Sequence, residues 1–291
     1  MRASIQAGVS LLFFLLTCSN LSAQTISIPD TLKGWDREWL TSLNGSQATY
    51  SNWSQGGASS VSGAASSMLT LLNRKNKRGF GFRVNLKYGQ SYVKDEGFRK
   101  TDDVLSIRNR LTNNFRDEDK LAVYFSSVFQ TQFDKGYDYG GGFAEQDSLI
   151  SNFFSPAYFT ESMGIAYTPR DFFTMELGVG LKQTIVADDS LTVNYGLEMG
   201  ENFRSEGGIS AGINFEKEIF PNIVYSGSFE TFTNLLNGLK KTDISWTNEI
   251  VGEINKTVHA SCQFELKYDD DFSSQIQLKQ VLSAGISLNF Y

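Results

Sequence analysis

The chain has 291 residues, of which 41% are apolar, 13% aromatic and 20% charged, a composition that suits one large folded domain and argues against disorder. Its formal net charge of −6 argues against nucleic-acid binding, which needs a basic surface. Beyond the N-terminal region no stretch approaches the roughly 18 uninterrupted apolar residues of a membrane-spanning helix, which excludes a helical membrane protein.

The N-terminus has the pattern of a secretory signal. Arg2 precedes an apolar run over residues 9–16, and a polar stretch then ends in small residues at Ala23. We therefore expect residues 1–23 to be a signal peptide that is cleaved after Ala23. Cys18 stands where a lipoprotein signal would place its lipidated cysteine, which leaves that alternative open.

The mature chain begins with a polar stretch and continues as alternating segments. Residues 24–37 contain Pro29, show no period, and are expected to form a short periplasmic tail. From residue 38 to residue 291, apolar and polar residues alternate in one segment after another, as they do in strands with one apolar and one polar face. We predict twelve strands, at residues 39–50, 58–72, 80–92, 105–115, 121–133, 157–167, 173–185, 209–215, 223–232, 244–254, 258–268 and 276–291.

The third of these segments shows the alternation most clearly. Phe80, Phe82 and Val84 share one face, while Arg83 and Lys87 lie on the other. Charges that alternate with aromatic residues inside one strand suit a lipid-facing side and a lumen-facing side.

The connections between segments alternate strictly between short and long. Short turns are expected at residues 73–78, 117–119, 168–171, 217–222 and 255–257, and longer links at residues 51–57, 94–103, 134–155, 187–207, 233–242 and 269–275. A transmembrane barrel has short turns on the periplasmic side and long loops outside. The sequence therefore predicts an all-β protein: a transmembrane antiparallel up-and-down β-barrel of about twelve strands in a Gram-negative outer membrane.

The last strand ends one residue after an aromatic side chain. Gly285, Leu288 and Phe290 have the relative spacing of the closing-strand signal through which outer-membrane barrels are assembled. The expected partners are the barrel-assembly machinery, outer-membrane lipid and lipopolysaccharide, with a further envelope protein left open.

Several loop strings resemble those of a Bacteroidota outer-membrane barrel family catalogued as domain of unknown function 3078. The resemblance implies the fold and the location, and it offers no activity or catalytic residue to carry over. The strings are SNWSQGG from Ser51, DEGFRKTDD from Asp95, TQFDKGYDY from Thr131, SNFFSPAY from Ser151, TIVADDS from Thr184, GENFRSEGG from Gly200 and YDDD from Tyr268.

The predicted lumen face carries charges of both signs. In a closed cylinder they could form a transverse field across a pore or a ladder of salt bridges that closes it. The candidate pore-lining residues are Arg83, Lys87, Arg108, Arg110, Glu176, Lys182, Glu249, Glu253, Glu265 and Lys267.

A narrow channel for small polar or charged solutes is the function we expect, with the loop at residues 134–155 folded in as a constriction. The first alternative is a non-conducting barrel that partners envelope machinery, and the second is a lipid-active enzyme. His259 is the only histidine, and without a nucleophile placed beside it we expect a structural role and no catalytic residue.

Other candidate sites are weaker. Acidic pairs in three long loops, beginning at Asp102, Asp188 and Asp269, could bind Ca²⁺ or serve as turn residues, but their spacing matches no calcium loop. We expect no metal site and no cofactor. The loop aromatics Trp53 and Tyr137 could stack on sugars, although packing is the expected role.

Overall fold

The computed structural model describes residues 25–48, 60–94, 96–116, 120–139, 147–235, 242–269 and 273–290. Some sequence predictions lie outside these residues. They are the signal peptide at residues 1–23, the loop at 51–57 with Trp53, the central part of the loop at 134–155, and Asp270, Asp271 and Tyr291.

Fourteen strands are present in the described residues. Twelve of them form a closed antiparallel barrel, and β6 and β7 pair with each other as a separate hairpin. The strands are β1 Gly34–Ala48, β2 Ser60–Lys75, β3 Arg78–Val93, β4 Gly97–Asn114, β5 Leu121–Thr131, β6 Gly136–Asp138, β7 Ser148–Ser151, β8 Ala157–Arg170, β9 Phe173–Ile185, β10 Phe203–Phe220, β11 Ile223–Asn234, β12 Thr242–Glu253, β13 Val258–Asp269 and β14 Ser273–Asn289.

Each barrel strand pairs with its neighbour in the chain, and the first strand pairs with the last. The order around the barrel is β1, β14, β13, β12, β11, β10, β9, β8, β5, β4, β3, β2, back to β1. The prediction of a twelve-stranded up-and-down barrel is confirmed. Closure gives the edge groups of β1 and β14 a partner, which a strand inside hydrocarbon requires.

The outer surface of the barrel is apolar. On β9, for example, Leu177, Val179 and Leu181 are all more than two-fifths exposed, and Leu278 and Leu282 on β14 are exposed further. An apolar surface that encircles a molecule would cause aggregation in water, whereas lipid covers it. The apolar exterior and the closed sheet together are the architecture of an outer-membrane barrel.

No helix in the described ranges is both long and apolar enough to cross a membrane. In the part of the chain that the structure describes, the one helical element is a 3₁₀ segment, Asp189–Tyr195, which lies in the connection between β9 and β10.

The two ends of the barrel differ, as the alternation of connections predicts. One end carries the tight turns, such as residues 76–77 between β2 and β3, and we call it the short-turn end. The other carries the β6–β7 hairpin and the 3₁₀ segment, and we call it the long-loop end. In outer-membrane barrels these ends face the periplasm and the cell exterior, respectively.

Three predicted strands have clearly wrong boundaries. β1 begins at Gly34 instead of residue 39, β4 begins at Gly97 instead of residue 105, and β10 spans Phe203–Phe220 instead of residues 209–215. The added parts of β1 and β4 are rich in charged residues that alternation does not mark, because they stand beyond the apolar belt.

Candidate functional site

The lumen is lined by alternate side chains of the twelve barrel strands. On β3, for example, Gly81, Lys87 and Gly89 are buried, while Phe82 and Leu86 between them face outward and are less covered. This alternation places the predicted basic and acidic residues on the inner face.

The ten candidate pore-lining residues fall into three groups. Arg108, Glu176, Lys182 and Lys267 border the larger lumen cavity, and Arg110 borders a smaller one. Arg83, Lys87, Glu249 and Glu265 occupy inward-facing positions elsewhere, and Glu253 is exposed at the end of β12.

Ion pairs span the lumen between strands that are not neighbours. The Arg110 guanidinium on β4 contacts the Glu176 carboxylate on β9, with β5 and β8 between them. Lys279 on β14 lies 3.2 Å from Asp102 on β4, across β1, β2 and β3. Ion pairs across the lumen, one of the arrangements that the sequence left open for these charges, are therefore present.

A third connection holds β9 to the opposite arc. Lys182 Nζ lies 2.6 Å from Asp243 on β12 and 3.0 Å from Asp269 on β13, and β10 and β11 separate β9 from β12. These charged side chains lie in a confined space, where each charge is compensated by its partner. Removal of one partner would therefore leave the other charge uncompensated.

The segment before β1 enters the barrel at the short-turn end, and β1 begins within the stretch 24–37 for which the sequence predicts a periplasmic tail. The Thr25 amide donates to Asn214 Oδ1 on β10 at 3.1 Å. At the other end of the segment, Arg74 on β2 forms a 2.6 Å ion pair with Asp30. β2 and β10 have five strands between them in either direction, so residues 25–33, the N-terminal segment, lie across a diameter of the mouth.

The wall of the barrel is shaped to receive this segment. Ile26 is 2% exposed, and a Cβ added at Gly81 on β3 would lie 2.6 Å from its Cγ2 atom. Ile28 lies over Gly79 in the same way, with its carbonyl accepting from Arg74 Nη2 at 3.0 Å. Two isoleucines two positions apart thus fill the space that two lumen-facing glycines leave open.

Above the N-terminal segment lies a chamber of about 480 Å³ inside the barrel. Thr25 contributes to its floor, and Gln132, Pro156 and Tyr195 contribute to its wall at the long-loop end. Its volume is within the range of small-molecule sites. Seven charged side chains border it: Arg108, Glu176, Lys182, Glu230, Asp243, Lys267 and Asp269.

The long loops pack against one another over this chamber. Val186, Leu191, Tyr195 and Leu197 form a buried apolar cluster, and Leu149 of β7 packs on it. The Tyr195 hydroxyl donates to the Ile150 carbonyl at 2.7 Å, and burial raises the pKa of Tyr195 to about 12. The described part of the loop at 134–155 therefore rests on the next long loop.

The acidic pairs of the long loops make structural contacts. Asp103 accepts from the amides of Phe133 and Asp134, both at 2.7 Å. Asp188 caps the 3₁₀ segment by accepting from the Ser190 amide at 3.1 Å. Within the described ranges no group of three His, Cys, Asp or Glu side chains could hold a metal ion.

His259 and the closing-strand residues lie near each other at the short-turn end. His259 is half-buried and opposite Glu253 in the β12–β13 register, and opposite Gly285 in the β13–β14 register. Phe290 stacks on Trp39 with ring centroids 4.9 Å apart, and its amide donates to the Trp39 carbonyl. Gly285 and Phe290 therefore belong to the seam that closes the barrel.

Sequence reasoning missed several lumen residues. Glu230 could have been found from its neighbours, because Phe229 and Thr231 have the outward phase on β11. Asp102 lies in the predicted loop at 94–103 and Asp243 just before the predicted strand at 244–254, because both observed strands extend beyond the alternating core. The paired isoleucines of the N-terminal segment, two residues apart, were the signal for an inserted segment.

The chain was compared with protein families, curated proteins and solved structures. A model of the family described as "Protein of unknown function (DUF3078)" matches residues 46–137, which supports the resemblance of the loop strings. No protein with a curated description matches the chain significantly.

Among solved structures, an outer membrane channel from Pseudomonas putida F1 is 6% identical, with 94% of this chain and 100% of that chain covered and a TM-score of 0.43. The translocator domain of the autotransporter NalP from Neisseria meningitidis is 12% identical, with 90% and 89% covered and a TM-score of 0.39. The outer membrane channel DcaP of Acinetobacter baumannii is 6% identical, with 88% and 98% covered and a TM-score of 0.36. At these identities and TM-scores, no property of this chain follows from the likenesses.

Proposed function

We propose that this protein is a narrow outer-membrane channel for small polar or charged solutes, closed at rest by its own N-terminal segment. The observation that carries the proposal is the chamber of about 480 Å³ in the lumen, which is bordered by charged and hydroxyl side chains. A barrel that served only as a scaffold could fill this space with packed side chains, as small barrels do.

The N-terminal segment controls the route through the barrel in this proposal. It lies across the short-turn mouth, held by the Arg74–Asp30 ion pair and by Ile26 against Gly81. It has no strand partner among the described residues, so releasing it breaks none of the strand pairing seen there. Displacement of this segment would connect the chamber to the periplasm.

The remaining parts of the proposal follow from the sequence. Residues 1–23 would be a cleaved signal, and the loop strings favour a Bacteroidota source. The closing strand, with Gly285, Leu288 and Phe290, would be recognised by the barrel-assembly machinery in a membrane of phospholipid and lipopolysaccharide.

The test is single-channel conductance in a planar bilayer, with folding first shown by heat-modifiable gel migration. We expect small or brief openings from the mature chain, and larger or longer ones when Ile26→Asp and Arg74→Ala are combined to release the segment. Ser27→Ala, in the same segment but with only a 3.4 Å contact to the Asp171 carbonyl, is the matched control and should behave as the parent.

A second candidate is a non-conducting barrel that acts as a structural or interaction partner in the envelope. The ion pairs that span the lumen favour it, because they reduce the open cross-section. Silence from folded parent and folded double variant alike would refute the channel and leave this candidate.

A further inference from the structure

The charges that border the chamber are paired, with two exceptions. Glu176 is paired with Arg110, Lys182 with Asp243 and Asp269, and Lys267 with Glu265 at 2.8 Å. Within the described ranges, Arg108 and Glu230 have no oppositely charged atom within 4.0 Å. One cation and one anion are therefore left over in the same chamber.

The two unpaired groups border the same chamber from separate arcs of the barrel. Arg108 is on β4 and Glu230 on β11, and on one side the strands β5, β8, β9 and β10 separate them. The weak 3.4 Å contact from the Ser228 hydroxyl leaves the Glu230 carboxylate with acceptor capacity to spare.

A ligand with a single charge fits this arrangement poorly. An anion at Arg108 would enter the field of Glu230, and a cation at Glu230 would enter the field of Arg108. A solute that carries both charges satisfies both groups, since a guanidinium binds a carboxylate through two parallel hydrogen bonds and a carboxylate accepts from an ammonium group.

The wall between the two groups offers both polar and aromatic contacts. Ser126, Gln130 and Ser162 supply hydroxyl and amide groups, and Tyr124 and Phe232 supply aromatic surface. Such a wall can pack against an apolar substituent while it hydrogen-bonds a peptide group.

We propose that the chamber binds a small zwitterionic solute, an amino acid or a short peptide, with its carboxylate on Arg108 and its ammonium group on Glu230. This inference rests on the proposed channel for the route by which the solute passes, and it names the solute class. Binding itself requires only that the solute reaches the chamber from one mouth.

The experiment is calorimetric titration of the folded barrel in detergent with three probes. They are glycyl-phenylalanine, its N-acetyl derivative, which lacks the ammonium group, and its methyl ester, which lacks the carboxylate. We expect the zwitterion to bind about tenfold more tightly than either derivative, a difference of about 1.4 kcal/mol, because each derivative lacks one of the two charged hydrogen-bonding groups.

Variants of Arg108 and Glu230 should show how much each residue contributes to the preference for the zwitterion. In Arg108→Gln, glycyl-phenylalanine should bind no more tightly than its methyl ester but still more tightly than its N-acetyl derivative. In Glu230→Gln, it should bind no more tightly than its N-acetyl derivative but still more tightly than its methyl ester. Arg37→Gln and Glu201→Gln, which replace exposed residues outside the chamber, are the matched controls and should leave all three affinities unchanged.

Equal affinities for the three probes, no binding at millimolar concentration, or the same pattern in both variants would overturn the inference. Conductance of the same preparations separates it from the channel proposal. If the barrel binds the zwitterion selectively but never conducts, the channel proposal is refuted and the binding site stands. If it conducts but shows no selective binding, the binding site is refuted and the channel proposal stands.

Discussion

Small residues on the inner wall determine what lies against it. Gly81 provides the space that Ile26 occupies, and Gly285 allows β14 to close on β1. At Gly285 a Cβ would lie 2.6 Å from the Leu43 carbonyl oxygen, closer than any ordinary contact. A side chain at position 285 is thus excluded by the neighbouring backbone, which moves less readily than a side chain does.

We predict that Gly285→Ala destabilises the closing seam. The added methyl group forces β1 and β14 apart, and overpacking of this kind costs about 1–3 kcal/mol. The measurement is the temperature at which the compact, SDS-resistant form disappears from gels. Gly212→Ala is the matched control, because its Cβ would meet no atom closer than 3.9 Å, and it should melt with the parent or above it.

At the scale of elements, the long loops are held by polar anchors as well as by the apolar cluster around Tyr195. Lys100 at the start of β4 donates to the Asp103 carboxylate, the Gln132 amide oxygen and the Asp134 carbonyl at 2.7–2.9 Å. The Tyr88 hydroxyl adds a hydrogen bond to the Asp134 carboxylate at 2.8 Å. These contacts fasten the loop after β5 to β3 and β4.

We predict that this anchor is lost in acid. The hydrogen bonds from the Tyr88 hydroxyl and the Lys135 amide hold the pKa of Asp134 below its ordinary value of about 4. Because the pKa of Asp134 is lower in the folded loop than in the unfolded chain, its ionised carboxylate stabilises the folded loop at pH values above the ordinary pKa. This stabilisation is lost as the pH falls through the folded-state pKa. Limited digestion with an acid-active protease should therefore begin to cut near residues 132–139 only in that low range.

Tyr88→Phe removes the main cause of the shift, so digestion of the same loop should begin at a higher pH. Asp134→Asn keeps an acceptor without a titrating group, and its digestion should not change with pH in this range. The prediction is wrong if the Tyr88→Phe barrel and the parent open at the same pH.

At the scale of the whole molecule, the ion pairs connect arcs of the barrel that strand pairing leaves apart. Lys182 joins β9 to β12 and β13 through Asp243 and Asp269, and its side chain is only 11% exposed. A charged side chain that connects non-adjacent strands in this way stabilises the closed barrel as a whole.

We predict that Lys182→Met lowers the free energy of unfolding by about 3 kcal/mol, because two carboxylates are left facing each other without their cation. Urea-induced unfolding in lipid vesicles gives this value. Lys256→Met, in an exposed turn, is the control and should unfold with the parent. If the two variants unfold together, the ion pair contributes no net stability.

Much of the barrel could be predicted from the sequence, because each strand records its environment locally. Alternation on β3 and β13 reports one lipid face and one lumen face whatever the partner strands are. The strand extensions of β1 and β4 could not be predicted this way, since they lie beyond the lipid belt and their outward residues need not be apolar.

The sequence by itself determined the strand number, the sorting of turns from long loops, and the sign of each lumen charge, because these depend on residue order and on the two-residue period. Only the tertiary structure decided which charges meet and where the N-terminal segment lies. Arg110 and Glu176 are 66 residues apart and on non-adjacent strands, and Thr25 and Asn214 are 189 apart. Such contacts depend on the closure and register of the cylinder, and no local pattern records them.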